Sequence, residues 1–313
     1  MNSSDARRAR VLAMAMARLV GGALMLLGVA QAQDAQPPKP SADFHHVHLN
    51  STDPAAAIDF YSTKFKARKE RFAGLTDAVW TGDSWLLFTK VVAPPPSDLI
   101  SGIWHIGWGA EDMQSAYQKQ VDSGTKFATP ITDITAMTGG SRPFYYAYVE
   151  GPDHALIELN TASHHNFGHV HMFSADPAAA GAWYSKHFGW RVFAQKEKRE
   201  FRGVPIGPAA FVTADHVSMI IYPIEYIRTT APDLWKDRTG FVSTRGRVVD
   251  HLGFSVTDLD STLDRLRKDG VTVTAEPVNL AGGKLRFAFI EGPDKVAIEL
   301  IEDHTPQPGK IPE

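Results

Sequence analysis

Two stretches decide the reading: FHHVHLNSTDPAAAIDFYSTKF at residues 44–65 and FGHVHMFSADPAAAGAWYSKHF at residues 167–188. Both carry His-Val-His, then Asp-Pro-Ala-Ala-Ala, then Tyr-Ser. His46 and His169, Asp53 and Asp176, and Tyr61 and Tyr184 are each 123 positions apart. Further along, YAYVEGPDHALIEL (146–159) is echoed by FAFIEGPDKVAIEL (287–300) at an offset of 141. A repeat this long means two related halves, about 44–160 and 167–303, with a tail at 304–313. The larger second offset places extra residues in the second half, expected between Ile224 and Arg247.

Each half reads as strand, helix and a run of strands, twice over. HHVHLNST alternates like a strand; Asp53 is a helix N-cap with Pro54 in the first turn, and Ile58, Tyr61 and Phe65 follow at helical spacing. AVWTGDSWLLFTK (78–90) is a hairpin turning at Gly-Asp. GIWHIGWG then begins a second unit, which closes on a hairpin at Gly-Pro-Asp. The second half repeats this order through VVDHLGFSVTDLDSTLDRLRKDG, where Leu259, Leu263 and Leu266 share a helix face. Four βαβββ units with hairpins after each helix argue against a doubly wound parallel sheet and for an α+β fold.

Of the 313 residues 43% are hydrophobic and 21% charged, enough for proper cores, and the net charge of −3 leaves no basic footprint for nucleic acid. Arg7, Arg8 and Arg10 precede an apolar stretch and an Ala30-Gln31-Ala32 cleavage pattern, so residues 1–32 read as a signal peptide. The apolar stretch is short for a membrane span, and cleavage leaves no stable anchor. Its removal takes away four Arg and one Asp, moving the net charge from −3 to −6. Residues 33–43 are a proline-bearing linker, and the chain is expected in the periplasm or secreted. Cysteine is absent, which excludes thiolate catalysis and zinc–sulfur sites.

On HVHLNSTDPAAAIDFY, WHIGWGAEDM and VEGPDHALIEL in one half, and HVHMFSADPAAAGAWY, DHLGFSVTDL and IEGPDKVAIELIED in the other, the chain resembles the vicinal oxygen chelate superfamily. That superfamily includes glyoxalase I, fosfomycin-resistance enzymes, methylmalonyl-CoA epimerases and extradiol dioxygenases. The resemblance implies paired βαβββ units curled into cups that hold a divalent metal on His, His and Glu. Carried over by position, the ligands fall on His46, His105 and Glu158 in the first half and His169, His251 and Glu299 in the second. Both sets are complete. If each half closes its own cup, those are the two sites; if units exchange, the sites become His46/His251/Glu299 and His169/His105/Glu158.

Two imidazoles and a carboxylate suit iron(II) first, with manganese, nickel or zinc as other occupants. Because side chains alternate, His48 lies on the face of His46, and His171 on that of His169. These second histidines are expected to move protons or touch substrate. His45 is expected on the opposite face, and His164 and His165 in the connector. Tyr148, which resembles the tyrosine of extradiol dioxygenases, has Phe289 as its counterpart. SWLLFTK and VSMIIYP lack the fourth carboxylate that glyoxalase I uses, and an exported chain has little glutathione or CoA at hand. The resemblance therefore implies a metal-dependent enzyme acting on a small substrate with vicinal oxygens, by dioxygenase-type cleavage. The alternatives are a glyoxalase-like lyase or isomerase, or a non-catalytic binding or resistance protein.

Overall fold

The computed structural model describes residues 40–140 and 142–311; the expected signal peptide and residues 33–39 of the linker lie outside the described residues. The first unit runs β1 (Asp43–Ser51), α1 (Pro54–Lys64), β2 (Arg68–Phe72), β3 (Thr76–Thr81) and β4 (Ser84–Lys90). The second runs β5 (Ile103–Ala110), α2 (Met113–Asp122), β6 (Phe127–Asp133), β7 (Tyr145–Glu150) and β8 (Leu156–Thr161). The third is β9 (Phe167–Ser174), α3 (Pro177–Phe188), β10 (Arg191–Phe201), β11 (Val204–Ala214) and β12 (Val217–Pro223). Two short helices, α4 (Ile224–Thr230) and α5 (Pro232–Trp235), lead to the fourth unit: β13 (Val249–Ser255), α6 (Leu259–Lys268), β14 (Val273–Leu280), β15 (Leu285–Glu291) and β16 (Ala297–Asp303). Among the described residues no helix is long and apolar enough to cross a membrane.

The fold is α+β, and its strands form two mixed eight-stranded sheets. Their orders are β14-β15-β16-β13-β1-β4-β3-β2 and β10-β11-β12-β9-β5-β8-β7-β6. The first unit therefore shares a sheet with the fourth, and the second with the third. Units exchange between halves. The joints are the antiparallel pairs β1–β13 and β5–β9, each adjoining a parallel pair, β13–β16 or β5–β8.

Local chemistry explains the elements. Asp53, Asp112, Asp176 and Asp258 each accept a hydrogen bond from the backbone N–H three residues on, satisfying one of the free donors of a helix start. The repeated Gly-Pro-Asp turn has a structural duty of its own. Asp153 accepts from the Ser51 and Thr52 hydroxyls and from the Thr52 backbone N–H, tying the second unit to the start of the first helix. Asp294 does the same for the Ala175 N–H.

The extra residues of the second half lie in two places rather than one. Trp85 stands opposite His46 and Ser218 opposite His169, 39 and 49 positions along, so ten of them lengthen the β10–β11 hairpin. The others make up α4, α5 and the segment that follows, as expected.

The core lies behind the cups, where aromatic rings from all four units meet. Phe44 packs against Phe167 and Phe254 with centroids 5.9 and 6.0 Å apart, and Tyr61 stacks on Trp108. Phe254 also meets Phe188 at 5.2 Å and Trp190 at 4.8 Å. It is fully buried at the junction of the first, third and fourth units. Phe254→Ala is expected to cost about 3–5 kcal/mol, since a ring-sized void there cannot close, and urea unfolding measures it.

Candidate metal centres

Pairing across the halves brings the sequence-derived residues into two groups. His46, His48, His251 and Glu299 offer ligand atoms all within 4.8 Å of one another, and so do His105, Glu158, His169 and His171. Of the two arrangements left open by the sequence, the exchanged one holds. His46 and His105, from one half, stand in different centres.

Register builds each group. In one sheet His46 faces Gly253, which in turn faces Glu299; in the other, His169 faces Gly107, which faces Glu158. Residues in one lateral row point the same way, so the imidazole lies across the glycine toward the carboxylate. A Cβ on Gly253 or Gly107 would fall inside the ring of His46 or His169. Two residues along, His48 faces His251 and His105 faces His171, and each pair stacks at 4.5 Å. The strands that carry a fourth carboxylate in glyoxalase I lie beside β1 and β9 here, with Leu87 opposite His48 and Ile220 opposite His171. They bring no acid to either centre.

The donor set fits a divalent cation. His251 Nε2 is 2.9 Å from Glu299 Oε2, and His105 Nε2 is 2.9 Å from Glu158 Oε2. His46 Nε2 and His169 Nε2 are buried without a hydrogen-bond partner, 3.7 and 3.8 Å from the same carboxylates. An unpaired buried nitrogen aimed at an anion beyond hydrogen-bond reach is costly unless a cation lies between them. His48 Nδ1 and His171 Nδ1 are also unpaired, so each is placed either as a fourth ligand or as a proton acceptor beside the other three.

Burial keeps most of these imidazoles neutral, the form that ligates. It holds His105 and His48 at about 3 and His169 at about 4, and pushes His46 and His171 well below the ordinary value. His251 differs: burial opposes its charge, but hydrogen bonds to Asp250 and Glu299 outweigh that and raise its pKa. Asp250, pushed upward by burial, is nonetheless held at about 2 by His251 and the Gly246 N–H. Burial raises Tyr148 well above 10, so its phenol stays protonated.

The outer partners are unequal. His251 Nδ1 is 2.6 Å from Asp250 Oδ1, and that carboxylate accepts from Arg245 Nη1, the Gly246 N–H and Asn50 Nδ2. His45 does not take the opposite face. A β-bulge between Phe44 and His46 sets its ring beside His46, with the two Nδ1 atoms 2.8 Å apart and its Nε2 3.4 Å from Asp303. In the other centre Gly168 occupies the bulge, Trp104 takes the place of Asp250, and His105 Nδ1 has no partner. His164 lies against Gly168 and accepts from the Asn166 N–H.

Tyr148 stands opposite Glu158 with its ring 5.0 Å from His105. A cavity of about 340 Å³ opens on Glu158 and His171, lined by Tyr146, Tyr148, Tyr222 and Tyr226. Neither Tyr222 nor Tyr226 was singled out from the sequence, nor were Gly107, Gly253 and Asp250. For the glycines a signal existed: His-x-Gly follows the middle-strand histidine in both halves.

The model of the glyoxalase/bleomycin resistance protein/dioxygenase superfamily matches residues 43–159 and again 166–300. The chain belongs to this superfamily. Among curated relatives, a probable lactoylglutathione lyase of Vibrio cholerae is 36% identical over 59 residues, 19% of this chain and 43% of that protein. A probable chloroplastic lactoylglutathione lyase of Arabidopsis thaliana is 41% identical over 59 residues, 18% of this chain and 17% of that one. The chain thus spans less than half the length of these relatives. Among solved structures, glyoxalase I of Zea mays superposes with a TM-score of 0.62 at 14% identity, covering 84% of this chain and 93% of the other. A putative dioxygenase of Bacillus subtilis gives 0.57 at 13%, covering 83% and 85%. At such identities the likeness is one of fold.

Exchange between halves has a direct consequence. His46→Ala with Glu158→Ala removes one ligand from each centre, and the expected result is loss of both metals by elemental analysis. His46→Ala with Glu299→Ala damages a single centre and is expected to lose one metal.

Proposed function

We propose that the chain is a divalent-metal-dependent enzyme acting on a small molecule with two neighbouring oxygens, at the centre of His105, Glu158 and His169. The observation that carries this reading is the 340 Å³ cavity that opens on Glu158 and His171, within the range of small-molecule sites. His105, Glu158 and His169 would hold the cation, with His171 in reach. Bound there, a divalent cation supplies a Lewis acid that lowers the cost of an enolate- or catecholate-like anion. His171, neutral through burial, offers its unpaired Nδ1 to a substrate hydroxyl proton. The Tyr148 phenol keeps its proton and donates a hydrogen bond to an oxygen beside Glu158. Aromatic walls exclude water, so these interactions act in a low dielectric.

For the reaction we favour cleavage of a carbon–carbon bond next to the paired oxygens of a catechol-like compound, with iron(II) as the cation. Both atoms of one dioxygen enter the product, so no outside reductant is needed. The lyase or isomerase reading rests on the curated relatives, which are lactoylglutathione lyases. Against it, Arg202 is the lone guanidinium or ammonium among the described residues that line the cavity, whereas a glutathione conjugate brings two carboxylates.

The chain loaded with iron(II), zinc or nickel decides between them. One dioxygen consumed per catechol with iron supports cleavage; turnover on zinc or nickel without oxygen uptake supports the lyase; absence of stoichiometric metal defeats both. Tyr148→Phe, which removes one donor and no ligand, is expected to lower kcat about 10²-fold with metal content unchanged. We also propose export, on the strength of residues 1–32; mass spectrometry of the exported chain is expected to find its first residue near Gln33.

A further inference from the structure

We propose that the two centres have different duties: the His105–Glu158–His169 centre takes the substrate, and the His46–His251–Glu299 centre is a structural metal site fastening the first unit to the last. This inference rests on the functional reading above, which names the working centre and its substrate class, and adds why the second centre takes no substrate and what it does instead.

The ligands are duplicated faithfully, but their surroundings are not. Of the segments that the second half alone carries, the hairpin and α4 meet at one centre. The lengthened β10–β11 hairpin supplies Phe201, Arg202 and Phe211 to the cavity wall, and the end of β12 with α4 supplies Tyr222 and Tyr226. The hairpin is fixed across the mouth, with Arg202 donating to the Asp133 carbonyl and Arg199 to that of Met137. In the first half the matching strands, β2 and β3, have five and six residues against eleven each.

Equivalent positions follow the same division. Tyr148 faces Glu158 where Phe289 faces Glu299, and Asn160 lies opposite Tyr146 where Ile301 lies opposite Phe287. Tyr222, edge-on to His171 at 5.2 Å, matches Thr89, whose hydroxyl is bonded to His48 Nε2. Thus three phenols and an amide stand at one centre, where the other has two phenyl groups, an alkyl group and a hydroxyl already bonded to His48. Four phenols, mostly apolar walls and one guanidinium suit a planar ring with two adjacent oxygens, of low charge.

The other centre is braced by its outer partners. Asp250 and His45 hold the outer nitrogens of His251 and His46, the arrangement that orients ligands at a metal. Arg245 lies 4.4 Å over the Phe289 ring and 3.2 Å from His251 Nδ1, and Phe289 stands edge-on to His251. A cation there also joins distant parts of the chain. His46 and Glu299 are 253 positions apart, against 64 for His105 and His169, so it closes the longer loop.

The test counts metal and 4-nitrocatechol bound per chain under nitrogen, by elemental analysis and by the probe's absorbance shift. The wild-type chain is expected to bind two metals and one nitrocatechol. His169→Ala with Glu158→Ala is expected to keep one metal and bind no nitrocatechol. Phe201→Ala with Tyr222→Thr is expected to keep two metals, which verifies folding, and to bind the probe at least tenfold more weakly. His46→Ala with Glu299→Ala is expected to lower the melting midpoint by about 4 °C or more beyond the His169/Glu158 variant. Two nitrocatechols on two metals, or a probe retained after loss of His169 and Glu158, overturns the division. So does equal loss of melting temperature at the two centres. No metal in the wild-type chain overturns the functional reading itself, and two metals with no nitrocatechol overturns the substrate class.

Discussion

The antiparallel pairing of β1 with β13 and of β9 with β5 is the constraint on which the rest depends. It sets a histidine from one half beside a glycine from the other, with a glutamate on the next strand of the same row. A slip of one residue would turn the imidazole to the opposite face and end the site. The glycine is part of the same requirement, because the ring occupies the space where a side chain would stand. Register, pairing partner and ligand geometry are therefore one feature described three ways.

Burying four imidazoles and a carboxylate together opposes folding unless their polar atoms are satisfied. Hydrogen bonds satisfy some of them, such as His251 to Asp250 and His105 to Glu158. The unpaired Nε2 atoms of His46 and His169 remain, and these are the atoms a cation would engage. Metal binding and closure of the sheets are coupled on this account, since each centre draws its ligands from both halves.

Duplication supplied two equal ligand sets, and what surrounds them has diverged. The hairpin and helix added to the second half wall the cavity beside Glu158, while Asp250, Arg245 and His45 brace the cluster around Glu299. Tyrosine in one centre stands where phenylalanine stands in the other. Such differences act on what can enter a centre and on how firmly its ligands are held, without altering the ligands themselves.

Much was legible in the residues alone. The 123-residue repeat, the Asp-Pro helix starts and the Gly-Asp and Gly-Pro-Asp turns are local signals, and they determined the four βαβββ units and the α+β class. The histidines and glutamates that now stand together were named through the family resemblance, and their matched places in two repeats supported it. Their pairing was not legible, since strands of either half present equivalent edges and only the packed whole selects between them. The position of His45 also escaped, because strict alternation fails at a bulge that neighbouring strands impose. The cavity was out of reach for a similar reason: Tyr222, Tyr226 and Phe201 are far from Glu158 in the chain, and only folding places them around it. Sequence determined the units and their donor atoms; tertiary structure decided which donors meet and which centre has room for a guest.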